Sequence, residues 1–211
     1  MGRFTDYYLV RRVLRGDERA FGRLFELHSA AVYRALVHLC RDTHWAEDLT
    51  QQTFLCAWKH MADYEGRCSL KTWLHRIAYR LFVDWWRRRQ VQAAAQGRLR
   101  EQPSPVSLSP LDGAVSSESS ERLALAVDRL DPASRELIVL HYFQGLSLRE
   151  VAQVLDLPTG TVKGRASVAL TRLRGMLQRG DSREYHREVP RALGSVGTGA
   201  GAASSAEADH P

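Results

Sequence analysis

Between Thr5 and Arg89 the chain contains no proline and only three glycines, Gly16, Gly22 and Gly66. Strands and tight turns depend on those two residues for punctuation, so a stretch this long with so few of them reads as helical throughout. Phe21, Leu24, Phe25, His28, Val32, Leu36 and Leu39 recur at helical spacing and mark a long helix with one apolar face. A second helix covers Trp45 to His60, and a third, started by Ser69, carries the most charge. Residues 5–89 form one expected all-helical domain.

The composition then changes. The stretch QPSPVSLSPLDGAVSSESS holds three prolines and many serines and cannot bury enough apolar area to order itself, which makes 90–120 an expected flexible linker. A second helical domain is expected over 121–179. Residues 180–211, ending in GSVGTGAGAASSAEADHP, read as a largely disordered tail. The expected fold is all-α, with two small helical domains, an N-terminal helix bundle and a C-terminal helix-turn-helix domain, joined by that linker.

In the C-terminal domain Asp131-Pro132 starts a helix: the aspartate can accept an orphan amide hydrogen bond, and proline is tolerated at the first helical position. Leu137, Leu140 and His141 share a face of it, and Gly145 ends it. Ser147 and Glu150 make the S-x-x-E capping box of a short helix with Val151, Ala152 and Leu155 as its buried stripe, and Asp156-Leu157-Pro158 breaks it. The next helix begins near Thr159 or Gly160. Val162, Ala166, Ala169, Leu173 and Leu177 fall on one side, and Thr161, Gly164, Ser167, Val168 and Thr171 on the other, flanked by Lys163 and Arg165.

Two helices joined by so short a turn are a helix-turn-helix pattern, whose second helix enters the major groove. From Leu157 to Arg179 there are five lysines and arginines and no acid. Short polar side chains let the backbone approach DNA while basic groups meet phosphates or guanine edges. The candidate DNA-binding residues here are Thr159, Thr161, Lys163, Gly164, Arg165, Ser167, Val168 and Arg172.

In the N-terminal domain Glu47, Asp48, Gln51 and Gln52 crowd one side of a helix beside Leu49, Phe54 and Trp58, a patch able to take a basic partner. From Arg67 to Arg89 seven lysines and arginines face the single acid Asp84, interleaved with Trp73, Tyr79, Phe82, Trp85 and Trp86. Leu70, Trp73, Leu74, Ile77 and Leu81 suffice for a core stripe, which leaves the other rings as candidates for the surface. Exposed rings beside basic groups suit single-stranded nucleic acid, whose bases stack on them.

Several classes are disfavoured. The net charge of +6 and pI near 9.5 make a polyanion a plausible partner. Cys40, Cys56 and Cys68, with no C-x-x-C pair, argue against a disulfide framework. The first twenty residues are too charged for a secretion signal, and no apolar run approaches the roughly 18 residues of a membrane span, so no membrane insertion and a cytoplasmic location are expected. No G-x-S-x-G, Walker loop or paired dinucleotide glycines occur, so no catalytic residue and no cofactor is expected. Of His38, Cys40 and His44 only the last two share a helical face, with no fourth ligand near, and no metal site is expected.

Three ordered motifs, WAEDLTQQTFLCAW, then SLKTWLHRIAYRLFVDWWRRR, then LPTGTVKGR beyond the linker, resemble a bacterial RNA polymerase sigma factor of the extracytoplasmic-function (ECF) group. The likeness runs from about Asp17 to Leu177. It implies a subunit without catalytic activity that binds core RNA polymerase and promoter DNA, duplex and melted; an anti-sigma factor is a further candidate partner.

Asp48, Leu49, Gln51, Gln52 and Phe54 fall in the segment that would grip the polymerase clamp, Gln52 standing where the family usually has an acid. The loop and helix that would melt and capture the minus-ten element supply Asp63, Tyr64, Arg67, Ser69, Lys71, Arg76, Arg80, Arg87 and Arg88. The helix from Thr161 would read the minus-thirty-five element. The alternative is an autonomous helix-turn-helix regulator that binds a duplex operator without polymerase.

Overall fold

The computed structural model describes residues 2–95 and 118–188. Among them every regular element is helical. In chain order these are α1 (Gly2–Val13), α2 (Glu18–Cys40), α3 (Thr43–Lys59), a 3-10 turn (Met61–Asp63), α4 (Leu70–Ala95), α5 (Glu118–Asp128) and α6 (Pro132–Ile138). A π-helical turn (Val139–Phe143), α7 (Leu148–Leu155) and α8 (Thr159–Glu188) follow. No described helix is long and apolar enough to cross a membrane.

Helical structure extends into both ends of the expected linker, as α4 reaches Ala95 and α5 begins at Glu118; the intervening linker residues 96–117 lie outside the described residues, as does the tail from residue 189. One compact unit runs to Leu177, and residues 178–211 form a second, of which only the helical stretch to Glu188 is described.

Local chemistry accounts for the helix boundaries. Asp17 caps α2 by accepting from the Ala20 amide at 3.1 Å, and its carboxylate also pairs with Arg12 at 2.6 Å, tying the end of α1 to the start of α2. Asp42 caps α3 through the Trp45 amide at 3.1 Å, and Asp131 caps α6 through Ser134 at 3.1 Å, with Pro132 in the first turn as expected. The capping box of α7 is complete: the Ser147 hydroxyl accepts from the Glu150 amide, and the Glu150 carboxylate accepts from the Ser147 amide at 2.9 Å. Asp156 ends α7 in the left-handed region at φ 54°, and Gly145 turns the chain before α7 at φ 63°.

The N-terminal core gathers α1 to α4 around Leu24, Val32, Leu36, Leu49, Phe54, Leu70, Leu74 and Phe82. Thr50 and Thr53, buried in α3, donate their hydroxyls to the carbonyls of Ala46 and Leu49, both at 2.7 Å, so neither is left unsatisfied. The C-terminal core unites α6, the π turn, α7 and α8 through Leu137, Leu140, Leu146, Val151, Val154 and Val162. A third apolar cluster joins the two domains: Ala35 of α2 packs with Ala126, Val127, Leu130, Ile138, Val139, Ala169 and Leu173.

Candidate nucleic-acid and protein interfaces

α8 obeys its sequence pattern. Val162 and Ala166 are buried in the cluster with α6 and α7, and Ala169 and Leu173 in the one shared with α2, α5 and α6, which turns Thr159, Thr161, Lys163, Gly164, Arg165, Ser167, Val168 and Arg172 outward. Val168 is 51 % exposed, an apolar side chain on a polar face. A Cβ added at Gly164 would meet nothing within 4 Å, so packing inside the chain makes no demand for glycine there. Arg172 is held by an ion pair to Asp131, the cap of α6.

α4 departs from its pattern. Leu70 and Leu74 are buried as expected, but Trp73, Ile77 and Leu81 are only half-buried, and the helix also buries Thr72, His75, Ala78, Phe82 and Trp85. The reason is that α4 packs on two sides, against α2 and α3 on one and against α7 on the other, so its buried arc is wider than a single stripe. Phe82 and Trp85 are therefore not surface rings. They continue an aromatic row with Tyr79 and Trp86 at centroid spacings of 6.0 to 6.5 Å, and Trp45 of α3 meets Trp85 at 5.6 Å. Arg89 lies over the Trp85 ring at 5.5 Å.

The candidate residues around α4 divide into two groups. Asp63, Arg67, Arg80, Arg87 and Arg88 are exposed, Arg67 with an ion pair to Glu65. Tyr64 is half-buried; its hydroxyl donates to the Cys68 carbonyl at 2.8 Å and its ring meets Trp73 at 5.3 Å, which shapes the loop leading into α4. Ser69, Lys71 and Arg76 are half-buried. The first two are engaged by the C-terminal domain.

That engagement is the part of the site the sequence concealed. The Glu150 carboxylate, besides closing its capping box, accepts from the Thr72 hydroxyl at 2.8 Å and the Ser69 hydroxyl at 3.2 Å. Lys71 donates to the Gln144 carbonyl, and the Tyr79 hydroxyl donates to Glu136 at 2.8 Å. His75 donates from Nδ1 to the Lys71 carbonyl at 2.8 Å, and its Nε2 faces the Gln144 side-chain amide at 3.4 Å. On the α2 side the His38 ring stacks on Phe143 at 4.8 Å. Thr72, His75, Glu136, Gln144 and Glu150 were not among the expected site residues, and Tyr79, a candidate surface ring, is half-buried instead. Their partners are 57 to 81 residues away in the chain, beyond the reach of any periodicity or cap signal.

The electrostatics follow from burial. Desolvation lowers both His38 and His75 to about 4, so each is a neutral imidazole. Burial raises Tyr79 and Glu136, the two ends of one hydrogen bond. Burial works against the charged form of Glu150 too, but the bonds from Ser147, Thr72 and Ser69 outweigh it, and its carboxyl is lowered.

On α3, Gln51 and Gln52 are exposed and Asp48 is half-buried, with His44 at 3.9 Å. Leu49 and Phe54 are only 3 % exposed. Leu49 sits in the core and offers no surface. Phe54 meets Phe25 edge-on at 4.8 Å and Phe21 at 6.4 Å, and it floors a groove of about 490 Å³ between α2 and α3, lined also by Glu18, Gln51, Leu55 and Trp58.

Comparison with known proteins matches residues 24–91 to sigma-70 region 2 and residues 126–175 to sigma-70, region 4. The ECF RNA polymerase sigma factor SigK of Mycobacterium ulcerans is 32 % identical over 173 residues, which cover 80 % of this chain and 91 % of that protein. The ECF RNA polymerase sigma factor SigW of Bacillus subtilis is 29 % identical over 177 residues, covering 80 % and 95 %. Among solved structures, the sigma factor RpoE in complex with the anti-sigma factor NepR from Bartonella quintana aligns at a TM-score of 0.65 and 28 % identity, covering 75 % of this chain and 96 % of that one.

Proposed function

We propose a promoter-recognition role for this chain from a fixed premise: it belongs to the ECF RNA polymerase sigma factors. In this reading it binds core RNA polymerase and directs promoter-specific initiation. α8 reads the minus-thirty-five element in the major groove, and the loop and helix from Asp63 to Arg88 take the minus-ten element once its strands part. The observation that carries it is α8, whose exposed face is basic and short in side chain while its opposite face is locked into a helix-turn-helix core. Arg165 and Lys163 supply donors for guanine edges or phosphates, and Val168 supplies an apolar contact suited to a thymine methyl.

The α3 face is the polymerase contact in this reading, with Asp48, Gln51 and Gln52 at its surface and Phe54 beneath them. An anti-sigma factor is a candidate regulator, as in the RpoE complex. The role requires no catalytic residue, cofactor or metal.

The test is a titration of labelled full chain with bacterial core RNA polymerase, read by fluorescence anisotropy, followed by promoter binding of the complex. Saturable polymerase binding weakened by Asp48→Ala supports the proposal. No polymerase binding by a folded chain, or duplex binding that is tight and indifferent to polymerase, overturns it in favour of an autonomous regulator.

A further inference from the structure

α1 has two faces, and the fold uses only one of them. Leu9, Val10 and Val13 are buried in the N-terminal core, where α1 packs on α2. The opposite side carries Phe4, Tyr7, Tyr8 and Arg11, which fall within roughly 100° of one another at 3.6 residues per turn. Phe4 is 88 % exposed, Tyr7 62 % and Tyr8 60 %. Large rings left in water side by side mark an interaction surface. α1 precedes residues 24–91, which match sigma-70 region 2, and it carries none of the residues assigned above to promoter or polymerase.

The charge on this face selects an anion. The Arg11 guanidinium lies 5.9 Å from the centre of the Tyr7 ring and donates to its hydroxyl at 3.1 Å, and the Arg12 guanidinium lies 5.7 Å from the centre of the Tyr8 ring. The acids of α1 and of the turn after it are Asp6 and Asp17, and both are engaged. Asp6 meets His28 of α2 at 2.9 Å with 15 % of its side chain exposed, while Asp17 pairs with Arg12 and caps α2. Arg11 and Arg15 are exposed and have no carboxylate partner among the described residues.

The rings are also free of one another. On α4 the aromatic side chains pack together, Phe82 lying 6.0 Å from Trp85 and 6.5 Å from Trp86. Phe4, Tyr7 and Tyr8 pack on no other ring among the described residues. A guanidinium occupies one face of a tyrosine ring, and an unpaired base can stack on the other. An acidic protein segment would satisfy the arginines, but separate rings match separate bases better than they match the continuous apolar stripe of a docking helix.

We propose that the outer face of α1 is a further single-stranded nucleic-acid site, in which unpaired bases stack on Phe4, Tyr7 and Tyr8 while Arg11 and Arg15 meet the phosphates. The site is distinct from α4 and α8 and does not rest on the promoter reading of either.

The experiment uses the full chain and variants whose folding is verified by circular dichroism. Anisotropy gives the affinity for a fluorescein-labelled oligothymidylate and for a labelled duplex of mixed sequence. Tyr7→Leu combined with Tyr8→Leu removes both rings but keeps apolar side chains, whereas Tyr7→Phe combined with Tyr8→Phe keeps the rings and removes the hydroxyls. Arg11→Gln removes one charge, and Leu27→Ala, at an exposed apolar position of α2, is the control.

The leucine pair should weaken single-strand binding about tenfold, the scale of lost base stacking, and the phenylalanine pair should stay within about twofold of wild type. Duplex affinity should hold in both, because paired bases cannot stack on side chains. Arg11→Gln should weaken binding about threefold and lower the salt dependence by about one phosphate contact, and Leu27→Ala should change nothing. No measurable single-strand binding by the wild-type chain, an unchanged leucine pair, a phenylalanine pair as weak as the leucine pair, or an equal loss on the duplex would each overturn the site. A leucine pair that keeps its single-strand affinity but loses core RNA polymerase would overturn it too, and would assign the face to a protein. Failure of the wild-type chain to bind core polymerase, beside the expected pattern on oligothymidylate, would sink the promoter reading and leave this site standing.

Discussion

α4 and α8 both looked from sequence like basic helices for nucleic acid, and the structure treats them in opposite ways. α8 buries one stripe and presents its whole polar face. α4 is gripped from two sides, hides Thr72, His75, Phe82 and Trp85, and has Ser69 and Lys71 occupied by the other domain. A basic helix is therefore a candidate surface only in proportion to the arc that its neighbours leave open. α8 leaves its polar face open as it stands, whereas α4 has donors already engaged by the other domain.

The sharpest way to separate the two helices is acid. His38 and His75, held to about 4 in the folded chain against an ordinary value near 6.5, both lie under the domain contact, and the described side chains of α8 include no histidine. Between those values the unfolded chain binds more protons than the folded one, so stability falls as pH drops from 6.5 to 4. The loss is on the order of 3 kcal/mol for each histidine. Glu136 and Asp128, raised by burial, shift the opposite way and offset part of it toward the acid end. Urea denaturation across that window should show the decline; a flat profile would mean that the two imidazoles are not buried neutral groups.

Truncation probes the same contrast. Leu74→Ala, at a position 2 % exposed in α4, should cost about 2–5 kcal/mol, whereas Val168→Ala on the open face of α8 should stay within about 0.5 kcal/mol. Equal costs in denaturant melts would erase the distinction between the helices. In function the order reverses. Arg165→Glu should weaken upstream-element binding by the polymerase complex by about 1–3 kcal/mol with little effect on stability, and unchanged promoter affinity would remove Arg165 from the reading face. A modest loss is expected for Ser147→Ala, which removes the hydroxyl of the α7 cap and should cost about 1 kcal/mol in thermal or urea unfolding.

Much of this architecture was legible because it is local. Asp131, Ser147 with Glu150, and Asp156 cap or break helices through groups within a few residues of each other, and the structure places each of those boundaries where the sequence does. The stripe Val162, Ala166, Ala169 and Leu173 was readable because α8 packs on one side only. The same logic failed for α4, where periodicity assumes one buried face and the helix has two. Leu49, which only the family resemblance put at the polymerase contact, shares a helix with the polar patch of α3 but is buried in the core.

The sequence by itself determined the helical class, the helix-turn-helix, most helix ends and the residues available to α8, since caps and 3.6-residue stripes are encoded within one or two turns. Only the tertiary structure decided that Glu150 reaches Ser69 and Thr72, that Lys71 and Tyr79 are occupied, and that His38 and His75 are buried. Those pairings join groups many tens of residues apart. Their existence depends on how two separately legible domains settle against each other, a balance of matched and unmatched polar groups that no local pattern records.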